Sequence, residues 1–280
     1  IKVVRWQVAY SSNDNFGKLL SFYKEIKNPK GRFFADPFVF EYSNRQFIFV
    51  EDFYYNDNKG RISAIEIKNN KEKIYDNVLE EDFHLSFPYI FESEGSIYMI
   101  PETHSINQIR LYKCIAFPCK WKLEKILMEG INSPVDTIVI KKLNHWFLLT
   151  TICSSGLGDT MSELHVFYSD KLCTKDWKPI KSGNPVIFDS LKARNGGMFY
   201  FNDTLYRVNQ SQGKFLYGKS FGINKVKTLD MHNYEEENVN NIFPTFKKGI
   251  VTTHHFNSNA KLSVVDYGRF ERIKNIINEK

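Results

Sequence analysis

The chain has 280 residues, of which 42% are hydrophobic, 25% charged and 15% aromatic, and its net charge is +6. That is globular chemistry with room for a large core, in one domain or two. The lysines and arginines are dispersed among acidic residues and form no basic stripe, which argues against a nucleic-acid partner and leaves weak attraction to anionic membranes or phosphorylated sugars.

The first strand-like run is "VVRWQVAY", which is placed to close a ring against the last part of the chain. "NDNFGKLLSFYKEI" sets Phe16, Leu19, Leu20, Tyr23 and Ile26 at helical spacing behind polar caps and predicts a short helix. A pattern then recurs. "ADPFVFEYSNRQFIFVED" begins at Ala35, "SFPYIFESEGSIYMIPET" at Ser86 and "VDTIVIKKLNHWFLLTTI" at Val135. "RNGGMFYFNDTLYRVNQS" begins at Arg194 and "IFPTFKKGIVTTHHFN" at Ile242. Each unit has a polar or Pro/Gly start, an apolar alternating strand, a turn ("SNRQ", "SEGS", "LNH", "FNDT", "KKG") and a second apolar strand. A third strand follows: "GRISAIEI", "QIRLYKC", "ELHVFYS", "KFLYGKS" or "KLSVVDY". The period of roughly 50 residues is that of propeller blades. A β-sandwich does not usually repeat one three-strand order five times, so the expected fold is all-β, a five-bladed β-propeller. It is read as one domain over residues 1–280, with blades at 31–70, 84–115, 122–170, 186–222 and 240–268. "RFERIKNIINEK" is read as a second short flanking helix.

Four cysteines, Cys114, Cys119, Cys153 and Cys173, lack zinc-ligand spacing and are read as buried free thiols. Their scarcity suggests a reducing, cytoplasmic compartment. No signal peptide is read at the start, although the chain opens on Ile1 and reads as cut from something longer. The longest apolar run, "WFLLTTIC", is too short to span a bilayer.

In a propeller the innermost strands line the central channel, so equivalent strand ends of all blades meet at one mouth. That rule gathers Asp36, Pro88, Asp136 and Arg194-Asn195 at the strand starts, and Glu51, Glu102 and Gln210 at the ends of the second strands. His254 and His255 fall near the axis, and His84 and His104 flank the second unit. His145, His165 and His232 read as turn or surface positions. A funnel of carboxylates, an arginine and histidines suits a polar ligand, and separated carboxylates suit glycosidic chemistry. An aspartate before proline also commonly caps a strand start by accepting backbone N–H bonds. "SSGLGD" lacks the Lys-Ser/Thr ending of a phosphate loop, no nucleophile elbow or HExxH is present, and "NDT" is a hairpin turn rather than a glycosylation acceptor.

The stretches "FFADPFVF", "FVEDF", "KGRISAIEI", "FHLSFPYIFE", "YMIPETHSINQIRLYK", "FPCKWKLEKILMEG" and "ARNGGMFYFNDTLYRVNQ" cover most of residues 31–220. Together they resemble the N-terminal five-bladed propeller of glucosamine inositolphosphorylceramide transferase and of bacterial relatives near surface-polysaccharide genes. That propeller in turn is similar to glycoside hydrolase families 43 and 68. The resemblance implies Asp36 as base or nucleophile and Asp136 as the residue that tunes the acid and orients substrate. It also implies a glutamate acid on the following blade, where this chain carries Arg194, Asn195 and Gly196 instead. Glu102 is the substitute acid. Glu51, His84, His104, Arg194, Arg207, Gln210 and His255 are the expected substrate contacts, with Arg194 on an anionic group. No cofactor is expected beyond an optional structural calcium ion on the axis, approached by His254. The expected function is cleavage or transfer of a glycosyl unit of a bacterial surface polysaccharide, of O-antigen or capsule type. The alternative is a non-catalytic glycan-binding module beside a separate transferase domain. Expected partners are a glycan or a nucleotide- or lipid-linked sugar and a second catalytic domain or protein, without nucleic acid and with at most peripheral membrane contact.

Overall fold

A computed structural model describes residues 1–12, 20–156, 158–214 and 216–277. In chain order the strands are β1 Lys2–Ser11 and β2 Lys24–Glu25, then β3 Arg32–Tyr42, β4 Arg45–Tyr54, β5 Lys59–Lys68 and β6 Lys71–Leu79. Next come β7 Ser86–Ser93, β8 Ser96–Glu102, β9 Gln108–Ala116 and β10 Lys120–Glu129. The third group is β11 Val135–Lys142, β12 His145–Thr151, β13 Glu163–Ser169, β14 Lys178–Pro179 and β15 Ile187–Phe188. Last are β16 Asn195–Phe201, β17 Thr204–Ser211, β18 Ser220–Leu229, β19 Tyr234–Ile242, β20 Phe256–Ser258 and β21 Ser263–Arg272. They form five antiparallel sheets. The inner strands meet in a closed circle, with β3 touching β7 and β20, β11 touching β7 and β16, and β16 touching β20. This is a five-bladed β-propeller.

The hairpins form where the sequence supplies residues that tolerate positive φ. Ser43-Asn44, Asn69-Asn70 and Asn202-Asp203 are two-residue loops with both φ values between 47° and 60°, the geometry whose twist matches paired strands. The strands they join pack between blades. Phe38, Phe49, Phe87, Tyr112 and Phe147 share the largest core cluster, and Ala9, Phe199, Phe221, Phe256 and Tyr267 fill the seam of the fourth and fifth blades.

The fifth blade has the order β2-β1-β21-β20. The N-terminal strand does close the ring, pairing with β21 from Lys2↔Arg272 to Ser11↔Ser263. This shifts the expected assignments by one strand. "KLSVVDY" is the second strand of its blade rather than the third, and "KKG" is not a hairpin turn, because "GIVTTHHFN" runs into the inner strand itself. Expected blade limits also move. Residue 122 lies in β10, which pairs with β9 and belongs to the second blade, and residue 240 lies in β19 of the fourth. Limits at 70, 115 and 222 stop short of β6, β10 and the end of β18. The reason is burial. Outer strands such as β19 are mostly solvent-facing and lack the apolar alternation by which strands are read. In the fourth blade β18, not "KFLYGKS", is the third strand. Of the expected first helix, residues 13–19 lie outside the described residues, Leu20–Phe22 form a single turn, and Lys24–Glu25 are instead strand β2 paired with β1. Among the described residues the C-terminal helix covers Ile273–Ile277, and it starts later than expected because β21 extends through Arg272. All four cysteines are free, but only Cys153 is buried and Cys119 and Cys173 are exposed.

Candidate functional site

One irregularity repeats at the start of the inner strands. Ala35 pairs with Glu51 but Phe38 with Phe49, so one residue of β3 is extra. The same slip separates Ser86–Glu102 from Tyr89–Ile100, Val135–Thr151 from Ile138–Leu149, and Asn195–Asn209 from Gly197–Val208. Such bulges re-aim side chains. Asp36, Phe87 and Asp136 take the left-handed backbone there, with φ of 50°, 45° and 51°. A non-glycine residue held in that region costs about 1–3 kcal/mol, a cost usually found at functional sites. The repeated bulge therefore turns two aspartates from different blades toward the axis.

Asp36 is buried, and its carboxylate accepts the Phe87 N–H at 3.2 Å. Its own N–H donates to Asp266 Oδ2 at 3.1 Å. Asp36 is thus a strand cap as well as an axial carboxylate. His254 Nε2 lies 3.5 Å from Asp36 Oδ1, and His254 Nδ1 is 2.8 Å from Asp266 Oδ1. The imidazole is clamped by stacking on Trp6, with centroids 4.0 Å apart, and by the edge of Tyr217. Burial, followed by the nearby charges of Glu51, Asp136, Asp266 and Glu102, pushes the Asp36 carboxyl well above the ordinary aspartate range. Burial also pushes Asp266 up, but His254 and the backbone N–H groups it accepts outweigh that and hold it low.

The second half of the cluster is ionic. Arg194 Nε donates to Asp136 Oδ2, its Nη2 to Glu102 Oε2 at 3.3 Å, and its Nη1 to Thr160 Oγ1 at 3.3 Å. Gln210 donates to the same Asp136 oxygen at 2.8 Å, and the Asp136 N–H donates to Glu102 Oε2 at 3.3 Å. His104 Nδ1 is 2.7 Å from Glu102 Oε1. Burial favours the neutral Glu102, yet His104 and Arg194 overcome it and hold this carboxyl at about 2. These two partners favour the ionised carboxylate, which counts against its expected part as the proton donor. Burial pushes Asp136 up against the pull of Arg194.

Glu51 and His84 form a pair on the rim at 3.3 Å, and burial of His84 is outweighed by Glu51, so its imidazole is raised. His255 is wholly buried between Phe38 and Phe87, with ring centroids 4.6 and 5.3 Å away. Its Nδ1 is 3.9 Å from Asp36 Oδ1, and burial pushes the imidazole down to about 3. A neutral imidazole in that position is a core ring rather than a surface contact for substrate. Arg207 is also not at the mouth. Its guanidinium is fully buried, donates twice to Glu236 at 2.7 and 2.6 Å, and donates to the carbonyls of Lys192 and Ala193 and to Asn195 Oδ1. Every donor is spent on the fourth blade, so its work is structural. Removing one partner of such a buried pair costs about 3–5 kcal/mol. His165, expected at the surface, is buried with Nε2 3.2 Å from Ser154 Oγ.

Asp36, His254 and Asp266 bring one ligand atom each within 4.8 Å of the others. Calcium takes six to eight oxygen ligands. Here Asp266 already accepts His254, two N–H groups on one oxygen and a third on the other, and Asp36 accepts Phe87. The donor set fits a calcium ion poorly.

Residues beyond the sequence reading are Asp266, Trp6, Tyr217 and Thr160. Asp266 carried a signal, a lone carboxylate in the apolar run "SVVDYG". Its place became visible only once β1 was known to be the third strand of the same blade.

The chain's propeller is shared by solved glycoside hydrolases of low identity. A thermostable family-43 glycoside hydrolase superposes with a TM-score of 0.63 at 14% identity, covering 88% of this chain and 91% of that one. An α-L-arabinofuranosidase from Lactobacillus brevis gives 0.60 at 11% identity over 81% and 79%. At these identities the likeness is one of fold. Sequence relatives are named glucosamine inositolphosphorylceramide transferase 1. The Arabidopsis thaliana protein is 32% identical over 234 residues, 80% of this chain and 30% of its own length. The Oryza sativa subsp. japonica protein is 31% identical over 222 residues, 78% and 29%. The chain thus spans about 30% of the relatives it matches. Residues 23–267 match the family described as glucosamine inositolphosphorylceramide transferase 1, N-terminal, and the chain belongs to that family.

Proposed function

We propose that the propeller is a carbohydrate-active domain that handles a glycosyl unit at the axial mouth. The observation that carries this reading is the convergence of three buried carboxyls from three blades at one mouth, with Asp36 against His254 and Glu102 held by His104 and Arg194, and the direction in which those surroundings push each proton follows from it. Asp36 is pushed up, mainly by burial, while Glu102 is held at about 2 by His104 and Arg194 against its burial. Carboxyls driven apart in one site are the pattern of an acid paired with an ionised partner. The roles are then reversed from those expected, with Asp36 holding the proton and Glu102 ionised. Asp136, bonded to Arg194 and Gln210, orients the site. The relatives' name supports a sugar as the group handled, and we extend the reading to a bacterial surface glycan presented as a nucleotide- or lipid-linked sugar.

A second reading rests on a different observation. Arg194 bridges Asp136 and Glu102, so two of the three axial carboxyls are already engaged by one guanidinium. That arrangement, in a chain spanning about 30% of its transferase relatives, favours a module that holds glycan for a separate catalytic domain. The deciding experiment offers fragments of the host's surface polysaccharide to the wild type and to Asp36→Asn and follows sugar release or transfer. Turnover that falls about 10²-fold or more in the variant supports the first reading. Binding without turnover in the wild type selects the second, and turnover unchanged in Asp36→Asn overturns the assignment of Asp36.

A further inference from the structure

Beside the mouth, the fourth blade carries a feature that the axial chemistry does not use. Gln210, which bonds Asp136, accepts at Oε1 a bond of 3.5 Å from Gln212. Gln212 in turn lines a cleft of about 460 Å³, with Leu191, Lys192, Lys219, Asn241 and Phe243. That volume is in the range of small-molecule sites. The cleft therefore begins one side chain away from the axial cluster and runs outward over the blade.

Its floor is a ladder of amides. Asn209 Nδ2 donates to the Leu191 carbonyl at 2.7 Å. Asn224 Nδ2 donates to Asn209 Oδ1 at 2.8 Å, Asn238 Nδ2 to Asn224 Oδ1 at 3.0 Å, and Asn241 Nδ2 to Asn238 Oδ1 at 3.0 Å. Asn209 and Asn224 are buried, which fixes the inner rungs, while Asn238 and Asn241 are exposed. The ladder lies directly on β18 because Gly222 has no side chain. A Cβ there would come within 2.5 Å of Asn209 Oδ1 and 3.0 Å of Asn238 Nδ2. An amide has two donor protons and an acceptor oxygen side by side. This matches the alternating donors and acceptors of neighbouring hydroxyls on a sugar ring. Phe243, 53% exposed, supplies an apolar face beside the ladder. Lys192 and Lys219 are exposed, and Lys192 has Asp189 at 3.9 Å as a loose partner on the rim.

We propose that this cleft is a second saccharide-binding site, taking an anionic pyranose whose hydroxyls meet the outer amides and whose charge meets Lys219. It rests on the carbohydrate reading only for the kind of ligand, since its residues are separate from Asp36, Glu102 and Asp136. The cleft holds the part of a sugar chain that extends away from the mouth.

The test is calorimetric titration of the full chain with trigalacturonate, and with maltotriose as the neutral counterpart. The wild type binds trigalacturonate more tightly than maltotriose. Lys219→Glu weakens the acidic ligand by about tenfold or more, as removal and reversal of a contacting charge does. Phe243→Ala weakens both ligands, and both surface variants melt at the wild-type temperature. Asp36→Asn retains the affinity even if it abolishes turnover, which separates failure of the axial assignment from failure of this one. Wild-type chain that does not bind trigalacturonate, or equal binding by Lys219→Glu and Phe243→Ala, overturns the site. Equal affinity for the two sugars overturns its anionic preference.

Discussion

Asp36 shows how a single side chain can be both a structural cap and a chemical group. It accepts the Phe87 N–H, and its own N–H is held by Asp266, so its direction is set by two other blades. Its proton has a consequence for stability. Because the folded-state carboxyl titrates above its ordinary value of 3.8, the folded chain binds the proton more tightly than the unfolded one. The associated stability is fully present below the unfolded value and is lost as pH rises through the folded one. Asp36→Asn cannot ionise and escapes this loss, while its amide oxygen can still accept from Phe87. The melting temperature of the variant, relative to wild type, is therefore expected to rise between about pH 4 and about pH 7. A difference that stays flat across that range in thermal melts would move the proton elsewhere in the cluster.

At the scale of elements, the site depends on the bulge at the start of four of the five inner strands. In the fourth blade the bulge is built from Gly196 and Gly197, and the strand lies against the fifth blade's inner strand. Gly197 has φ of 129°, and a Cβ there would stand 2.2 Å from the Phe256 carbonyl oxygen. Backbone cannot move aside as a flexible side chain can. Gly197→Ala is expected to cost about 2–4 kcal/mol in urea unfolding, combining overpacking with a strained φ. A loss below about 0.5 kcal/mol, the level of ordinary surface substitutions, would mean that this seam is loosely packed. Arg207 gives the seam a second support from within the blade, since it ties Glu236 of β19 to the carbonyls of Lys192 and Ala193 that lead into β16.

At the scale of the whole molecule, the ring is held by its two ends. The last strand of the chain and the first share one sheet, with β1 paired along its full length to β21. The same strand brings Trp6 onto His254, so closure of the ring and clamping of the axial imidazole are one event. Removing residues 1–12 leaves β21 an open edge and takes the stacking partner from His254. Such edges pair with other chains. The truncated chain is expected to aggregate and to lose cooperative melting, which circular dichroism and size-exclusion chromatography would read. A monomer that melts cooperatively would show that the remaining blades close without this strap.

The strand repeat, four of the five hairpin turns and the gathering of Asp36, Glu102, Asp136, Arg194 and Gln210 at one mouth were legible in the sequence. Alternating apolar residues and turn chemistry act locally, and a propeller maps a linear period onto a circle. Ionisation was not legible, because it depends on which charges become neighbours after burial. Glu102 is held low by His104 and by Arg194 from another blade, and Asp36 is pushed up by burial, by Glu51 of its own blade and by carboxylates from three others. The same holds for Arg207 and His255, whose polar types suggested a ligand. The tertiary structure spent one on Glu236 and sealed the other between phenylalanines. The fifth blade marks the limit most clearly, since its third strand lies at the opposite end of the chain. Local pattern determined that there are strands and where they turn, while long-range packing decided which strand stands beside which and what each buried charge faces.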